Sequence, residues 1–353
     1  MSVEEIKLTF FDIAEDKSPG PNGYTTTFYK AAWPVVGGEI TRAIIDFFTN
    51  GRLLKQVNAT LLVLIPKVQS PSFVLDFRPI SYYNMLYMAI TKILVQRLRD
   101  ILDDLISTSQ NTFVLGRKIV EWDFQFATMR LFGFPEVFIQ WVEECVTTPT
   151  FSVCINGSAH GFFKGARGLR QGDPMSPYLF MLVMEVLYMI LQQLIEQKTA
   201  FRYHWRCAEL SLFQLGFAYD LLLFCKAHGP SIVVFQGGLE LFATLSGLHV
   251  NPAKRQLIIS KAARYDCTQF LATLGFQEGQ LSVKYLGLSL ISSRLPLANC
   301  RPLLDKIDSR IQGVIKEIEK RLRNFLWKGV TGRVTRKLHG PKFAIRRMKE
   351  DLE

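Results

Sequence analysis

A chain of 353 residues, 48 % apolar and 21 % charged, has room for about two domains and a sizeable core. That composition excludes a disordered, collagen-like or low-complexity protein. The net charge of +11 is uneven: residues 301–353 hold 15 basic and 7 acidic side chains, so the tail carries +8 and the first 300 residues only +3. A basic block of this kind favours a polyanionic partner, because neutralising phosphates releases counterions. The six cysteines stand far apart without a C-x-x-C pair and the five histidines are scattered, which argues against a zinc site. Met1 to Phe10 is acidic and lacks a basic-then-apolar signal pattern, so reduced thiols in an intracellular protein are expected.

In chain order, a short helix is predicted near Glu4 to Phe11, followed by the turn-rich Ser18-Pro-Gly-Pro-Asn-Gly23. A helix over Glu39 to Phe48 places Ile40, Ile44, Ile45 and Phe48 on one face and stops at Gly51. Leu61 to Ile65 reads as a buried strand closed by Pro66, and Tyr87 to Leu105 as a helix with Lys92, Arg97 and Arg99 on its wet face. Helical patterns follow at Phe124 to Leu131 and Val137 to Val146, then a strand at Phe151 to Ile155 and a glycine-rich loop from Gly157 to Gly172. Ser176 is the expected N-cap and Pro177 the first residue of a long apolar helix. Its Glu185 and following glutamines mark it as a buried core helix rather than a membrane span.

Leu215 to Phe224 fits a buried hairpin around Tyr219-Asp220. Leu239 to Leu245 reads as helix, and Gln256 to Ser260 and Leu281 to Leu286 as strands. From Pro302, apolar residues recur every three or four positions through Leu303, Ile307, Ile311, Val314 and Ile318 to Phe325, the mark of an amphipathic helix with a basic polar face.

Dinucleotide, P-loop and zinc-protease motifs are absent from the sequence. Six segments stand out instead: Lys17 to Gly23; Ile65-Pro-Lys67 with Asp76-Phe-Arg-Pro-Ile-Ser81; Gln110 to Arg117; Gly168-Leu-Arg-Gln-Gly-Asp-Pro-Met-Ser-Pro177; Phe217-Ala-Tyr-Asp220; and Tyr285-Leu-Gly287. Together, and in this order, they resemble the reverse transcriptase of plant non-LTR (LINE-type) retrotransposons.

The resemblance implies an α+β right-hand polymerase fold, with a fingers-like region at 1–119, an incomplete palm at 120–290 and a basic thumb-like remnant at 291–353. It implies RNA and DNA template-primer as partners, no membrane and no small-molecule cofactor. Polymerases of this family join nucleotides using two divalent metals, here Mg²⁺, held by carboxylates from neighbouring strands. By resemblance, Asp220 is the remaining catalytic and metal-binding acid. Lys67, Arg78, Arg170, Gln171 and Gly172 match nucleotide and template positions, and Tyr285, Leu286 and Gly287 match the primer grip.

The departures from the family pattern bear on chemistry. Its first metal-binding aspartate lies in a segment between Gly-Arg and a Trp-Asp-Phe-like stretch, yet here Arg117 reaches Trp122 after only four residues. Tyr219 stands where the family has the more essential aspartate of the second strand, and a neutral phenol is a poor magnesium ligand. Glu121 and Asp123 are conceivable substitutes, but a helical pattern follows Trp122. A second junction falls near Gly313-Val314. The expectation is a reverse transcriptase-like protein without polymerase activity. The alternatives are a non-catalytic nucleic-acid-binding remnant and a translated fossil that does not fold.

Overall fold

The computed structural model describes residues 1–107, 110–111, 120–198, 200–217, 220–251, 255–259, 267–280, 283–285, 288–290, 301, 304–305, 307–316 and 318–319. The chain divides into two compact units, Met1–Gln280 and Leu281–Glu353.

The first unit opens with α1 (Val3–Phe11), where Ser2 Oγ accepts from the Glu5 N–H while the Glu5 carboxylate accepts from the Ser2 N–H. After α2 (Thr26–Ala31), α3 runs from Trp33 to Asn50 and ends at Gly51 in the left-handed region. Its buried stripe is Gly37, Ile40, Thr41, Ile44 and Phe47. Ile45, expected inward, faces solvent, because the stripe follows the i, i+3, i+4, i+7 line set from Gly37.

The Ser18 to Gly23 turn lies against the end of β2 (Phe77–Tyr83), which pairs antiparallel with β1 (Ala59–Pro66). A Cβ at Gly20 would come within 2.5 Å of the Tyr83 carbonyl carbon, so only glycine permits this approach. The Asn22 N–H donates to Asn84 Oδ1 at 3.3 Å, fastening the turn to the following helix α4 (Met85–Leu105). Contrary to expectation β1 is half-buried: only Thr60 is enclosed, because the hairpin carries Ile65 and Pro66 out beyond the core.

Helix α4 buries Met85, Tyr87, Ile90, Ile93, Leu94 and Leu98 in the centre of the core. A two-residue strand β3 (Gln110–Asn111) follows, then α5 (Trp122–Leu131), α6 (Glu136–Thr147), β4 (Thr150–Ile155) and β5 (Ser158–Lys164). The four-stranded sheet has the order β2-β1-β4-β5, with β1 parallel to β4. Strand β5 replaces the first half of the expected glycine-rich loop. All seven of its residues are exposed, so no apolar alternation marks it, and the Asn156-Gly157 turn with both φ angles positive was the only signal for its hairpin.

Helix α7 (Ser176–Gln197) is long and apolar enough to cross a membrane by length and composition, but Leu179, Leu182, Val183, Leu187 and Leu191 pack into the core. Ser176 is its first helical residue, not its cap: the Ser176 hydroxyl donates to the Arg170 carbonyl at 2.8 Å, and Asp173 Oδ1 accepts the Met175 N–H instead. The hairpin β6 (Gln214–Phe217) and β7 (Asp220–Leu223) continues a sheet of order β3-β6-β7.

Helix α8 spans the 18 residues Gly229–Ser246, well beyond the expected Leu239 to Leu245, and packs on α7. Of the expected strand at 256–260 only β8 (Gln256–Leu257) is extended. It pairs with β9 (Gln277–Glu278) beyond α9 (Cys267–Leu274). In the second unit β10 (Val283–Tyr285) and β11 (Leu288–Leu290) form a hairpin, and residues 304–305, 307–316 and 318–319 are helical.

Glu185 is the one acid inside α7's buried face. Its carboxylate accepts from the Ser107 N–H at 3.1 Å and hydroxyl at 3.2 Å, while burial pushes its pKa upward. The folded state therefore holds the proton more tightly than the unfolded state. This contribution to stability is full below the unfolded pKa of about 4.3 and is lost as pH rises through the folded value. Glu185→Gln is expected to raise the thermal midpoint at pH 7–8, with the gain vanishing toward pH 4. An equal gain at both pH values would refute this.

Candidate nucleotide and nucleic-acid site

The Gly168 to Pro177 segment is held by one buried cation. Arg170 Nη1 donates to Thr60 Oγ1 at 3.0 Å, and Nη2 to Asn58 Oδ1 and the Cys145 carbonyl, both at 2.7 Å. Nε lies 3.6 Å from Asp173 Oδ2, and the guanidinium stacks 3.9 Å from the centre of the Tyr87 ring. The Tyr87 hydroxyl donates to Asp173 Oδ2 at 2.5 Å. Burial drives the pKa values of Tyr87, Tyr83 and the Cys145 thiol upward, so all three stay neutral beside the Arg170–Asp173 ion pair. Arg170, matched by resemblance to a nucleotide or template position, is buried and its guanidinium is turned inward onto these partners.

The turn it positions is Gln171-Gly172. The Gln171 carbonyl accepts from the Ser81 N–H at 3.3 Å, and the Gly172 carbonyl from the Tyr83 hydroxyl at 2.6 Å, which fixes the turn on β2. Gly172 adopts φ +97°, a conformation that penalises any side chain, and is exposed. Gln171 is half-buried. Arg78 lies on the same strand three residues before Ser81, about 10 Å along it, and is exposed opposite Ile65.

Lys67 sits at the mouth of the β1–β2 loop. Its Nζ donates to the Leu75 carbonyl at 2.6 Å and its N–H to the Asp76 carbonyl at 2.7 Å. The Asp76 carboxylate accepts from the Phe73 and Ser72 N–H groups, which hold its pKa below the ordinary value. Lys67 thus shapes the loop that presents it. The structure brings Arg170, Gln171, Gly172 and Arg78 onto or against one strand, with Lys67 at the loop end of that hairpin.

Asp220 is the exposed first residue of β7, paired with Phe217. Tyr219 lies outside the described residues. Glu121 pairs with Arg167 at 3.1 Å and Asp123 stands in the first turn of α5, so the helix after Trp122 is as expected. Among the described residues no group of three or more His, Cys, Asp or Glu gathers to hold a metal. A lone exposed carboxylate does not fit a two-metal centre. Tyr285 ends β10 in the other unit, and Leu286 and Gly287 lie outside the described residues.

Residues 118–290 match the family described as reverse transcriptase (RNA-dependent DNA polymerase). The chain carries a reverse transcriptase domain. It is 21 % identical over 84 % of its length to the transposon TX1 uncharacterized 149 kDa protein of Xenopus laevis, covering 25 % of that protein. It is 26 % identical over 89 % of its length to the retrovirus-related Pol polyprotein from type-2 retrotransposable element R2DM of Drosophila melanogaster, covering 32 %. A stretch of 43 residues, 12 % of the chain, is 54 % identical to an uncharacterized mitochondrial protein of Arabidopsis thaliana and covers 35 % of it. The chain thus spans about a quarter to a third of the first two relatives, and the LINE-type retrotransposon resemblance agrees with them.

Sequence reasoning singled out the Arg-Gln-Gly-Asp block, which lies within the matched residues 118–290, but missed Tyr87, Tyr83, Asn58 and Thr60, which complete its support from outside them. Their only signal is polarity within otherwise apolar segments. Arg170→Met would leave the Asp173 charge buried and unpaired, and is expected to cost about 3–5 kcal/mol. Tyr87→Phe, which removes one hydrogen bond to a charged group, should cost about 1.5–3 kcal/mol. Urea denaturation of the purified chain measures both, and a loss below 1 kcal/mol for Arg170→Met would contradict the clamp.

Proposed function

We propose that this chain is a reverse transcriptase-type, nucleic-acid-binding protein of LINE-type retrotransposon ancestry whose polymerase chemistry is lost. The observation that carries this reading is the donor set: Tyr219 occupies an aspartate position beside Asp220, and only four residues separate Arg117 from Trp122, where the family's other metal-binding strand belongs. Two Mg²⁺ ions need more carboxylates than this, so no catalytic step is assigned to Asp220.

The right-hand division follows the same reading, with fingers-like 1–119, palm-like 120–290 and thumb-like 291–353. Gln214 supports the incomplete palm sheet. It is fully enclosed in the first strand of the Asp220 hairpin, and among the described residues neither end of its amide has a hydrogen-bond partner, an arrangement native cores rarely leave. The buried clamp and continuous core of the first unit favour a folded remnant over a fossil that never folds. The retained partner is RNA or DNA template-primer, held by Lys67, Arg78, Gln171 and Gly172 in the first unit and by the basic tail.

Primer extension with Mg²⁺ or Mn²⁺ tests the loss. No incorporation above a heat-killed control is expected, and Tyr219→Asp alone should not restore it. Incorporation abolished by Asp220→Ala would overturn the reading. Binding to RNA should be strongly salt-dependent and weak in sequence preference, since phosphate neutralisation dominates a tail of +8. A chain ending at Cys300 is expected to lose most low-salt affinity in a fluorescence anisotropy titration. An unchanged affinity and salt slope would assign binding to the fingers-like region.

A further inference from the structure

In the first unit, an indole stands at the tip of an anchored turn. Trp205 and Arg206 are the two central residues of a turn closed by the Cys207 N–H donating to the His204 carbonyl at 2.8 Å. Trp205 is 73 % exposed, and the Arg206 guanidinium lies over its ring, 4.7 Å from the centre. The turn is tied down on several sides. The Arg206 N–H donates to His204 Nδ1 at 3.3 Å, and Phe201 packs edge-on against the buried Phe235. The Arg202 N–H donates to Ser231 Oγ in the first turn of α8, and the Lys226 N–H to the Arg202 carbonyl, both at 2.9 Å.

We propose that Trp205 is a stacking platform for an unpaired base of single-stranded nucleic acid, with Arg206, Arg202 and Lys226 binding the neighbouring phosphates. This rests on the nucleic-acid-binding reading above and adds a contact outside the site already described. The turn lies at the end of the β6–β7 hairpin beyond the Gln214–Leu223 pair, whereas Asp220 pairs with Phe217 at the other end. Charge selects the occupant. Within residues 200–213 and 224–228 the Lys, Arg, Asp and Glu side chains are Arg202, Arg206 and Lys226 against Glu209 alone, and all four are exposed. At the end of α7, Lys198 and Glu196 cancel. Every base offers a π-face, but only an unpaired one can lay it on an indole, and a phosphate follows on either side. A guanidinium already stacked on the ring sets a cation next to that base. Because the turn is fixed before the strand arrives, little ordering remains to oppose binding.

Fluorescence anisotropy of the full chain tests this with two labelled probes of equal length, an oligodeoxyadenylate and an abasic phosphodiester oligomer. The oligodeoxyadenylate should bind about tenfold more tightly. Trp205→Ala should remove most of that advantage, leaving the abasic affinity and the urea unfolding curve unchanged, and Trp205→Phe should keep most of it. Arg206→Ala should weaken both probes. The oligodeoxyadenylate should also quench tryptophan emission, a quench that Trp205→Phe abolishes, which keeps the test decisive if Trp205→Ala disturbs the fold. Equal affinity for the two probes, an advantage that survives Trp205→Ala in a folded chain, or Trp205 emission that neither probe changes overturns the platform while leaving nucleic-acid binding in place. Binding of neither probe overturns both readings.

Discussion

Arg170 carries a permanent charge into the core, and the surrounding fold is arranged to satisfy it. A guanidinium cannot shed its proton, so burial is tolerable only where a carboxylate and several acceptors converge. Asp173 supplies the charge, while Thr60, Asn58 and the Cys145 carbonyl supply acceptors from β1, the approach to β1, and α6. Those groups are distant in sequence, so the cation binds together elements that apolar packing alone would position less strictly. The same pair fixes Asp173 so that its second oxygen accepts the N–H of Met175, the residue just before α7. The orientation of the longest apolar helix thus depends on the clamp.

The turn at Gln171-Gly172 follows from this arrangement. Its flanking residues are anchored inward, and its two carbonyls are taken by β2. Its outward side is then the exposed Gly172 backbone and the half-buried Gln171 side chain. A flat ligand can approach a bare glycine closely, and a cationic residue on the same strand, Arg78, is suited to phosphate. Preorganisation of this kind depends on groups that never touch a ligand.

How far the sequence alone reached follows from the same physics. Helices with a strong apolar period, such as α4 and α6, were placed to within two residues at each end, because burial of one face determines them, whereas α3 was found but begins six residues before Glu39. Strand β5 escaped notice because it is exposed throughout and has no pattern to read. Ser176 was misread as a cap because a serine before a proline carries the local signature of a helix start; the cap position falls one residue earlier, on Met175, and the Ser176 hydroxyl turns back to the Arg170 carbonyl. Arg170 itself was found as a motif residue, but a sequence does not distinguish an arginine aimed at phosphate from one aimed at a buried aspartate.

The locations of the clamp and of Asp220 explain how the proposed loss of chemistry is compatible with a retained fold. Asp220 sits exposed at the start of β7, and no described carboxylate cluster around it contributes to the core. An exposed carboxylate such as Asp220 loses little stability when replaced. Arg170, Asp173 and Tyr87 are in the opposite situation, since removing any one strands a buried polar or charged group. Relaxed selection on polymerisation would therefore erase the metal ligands first and leave the Arg-Gln-Gly-Asp segment standing. Gln214, whose enclosed amide has no hydrogen-bond partner among the described residues, lies in the same hairpin as Asp220, so the buried polar cost and the exposed acid share one element.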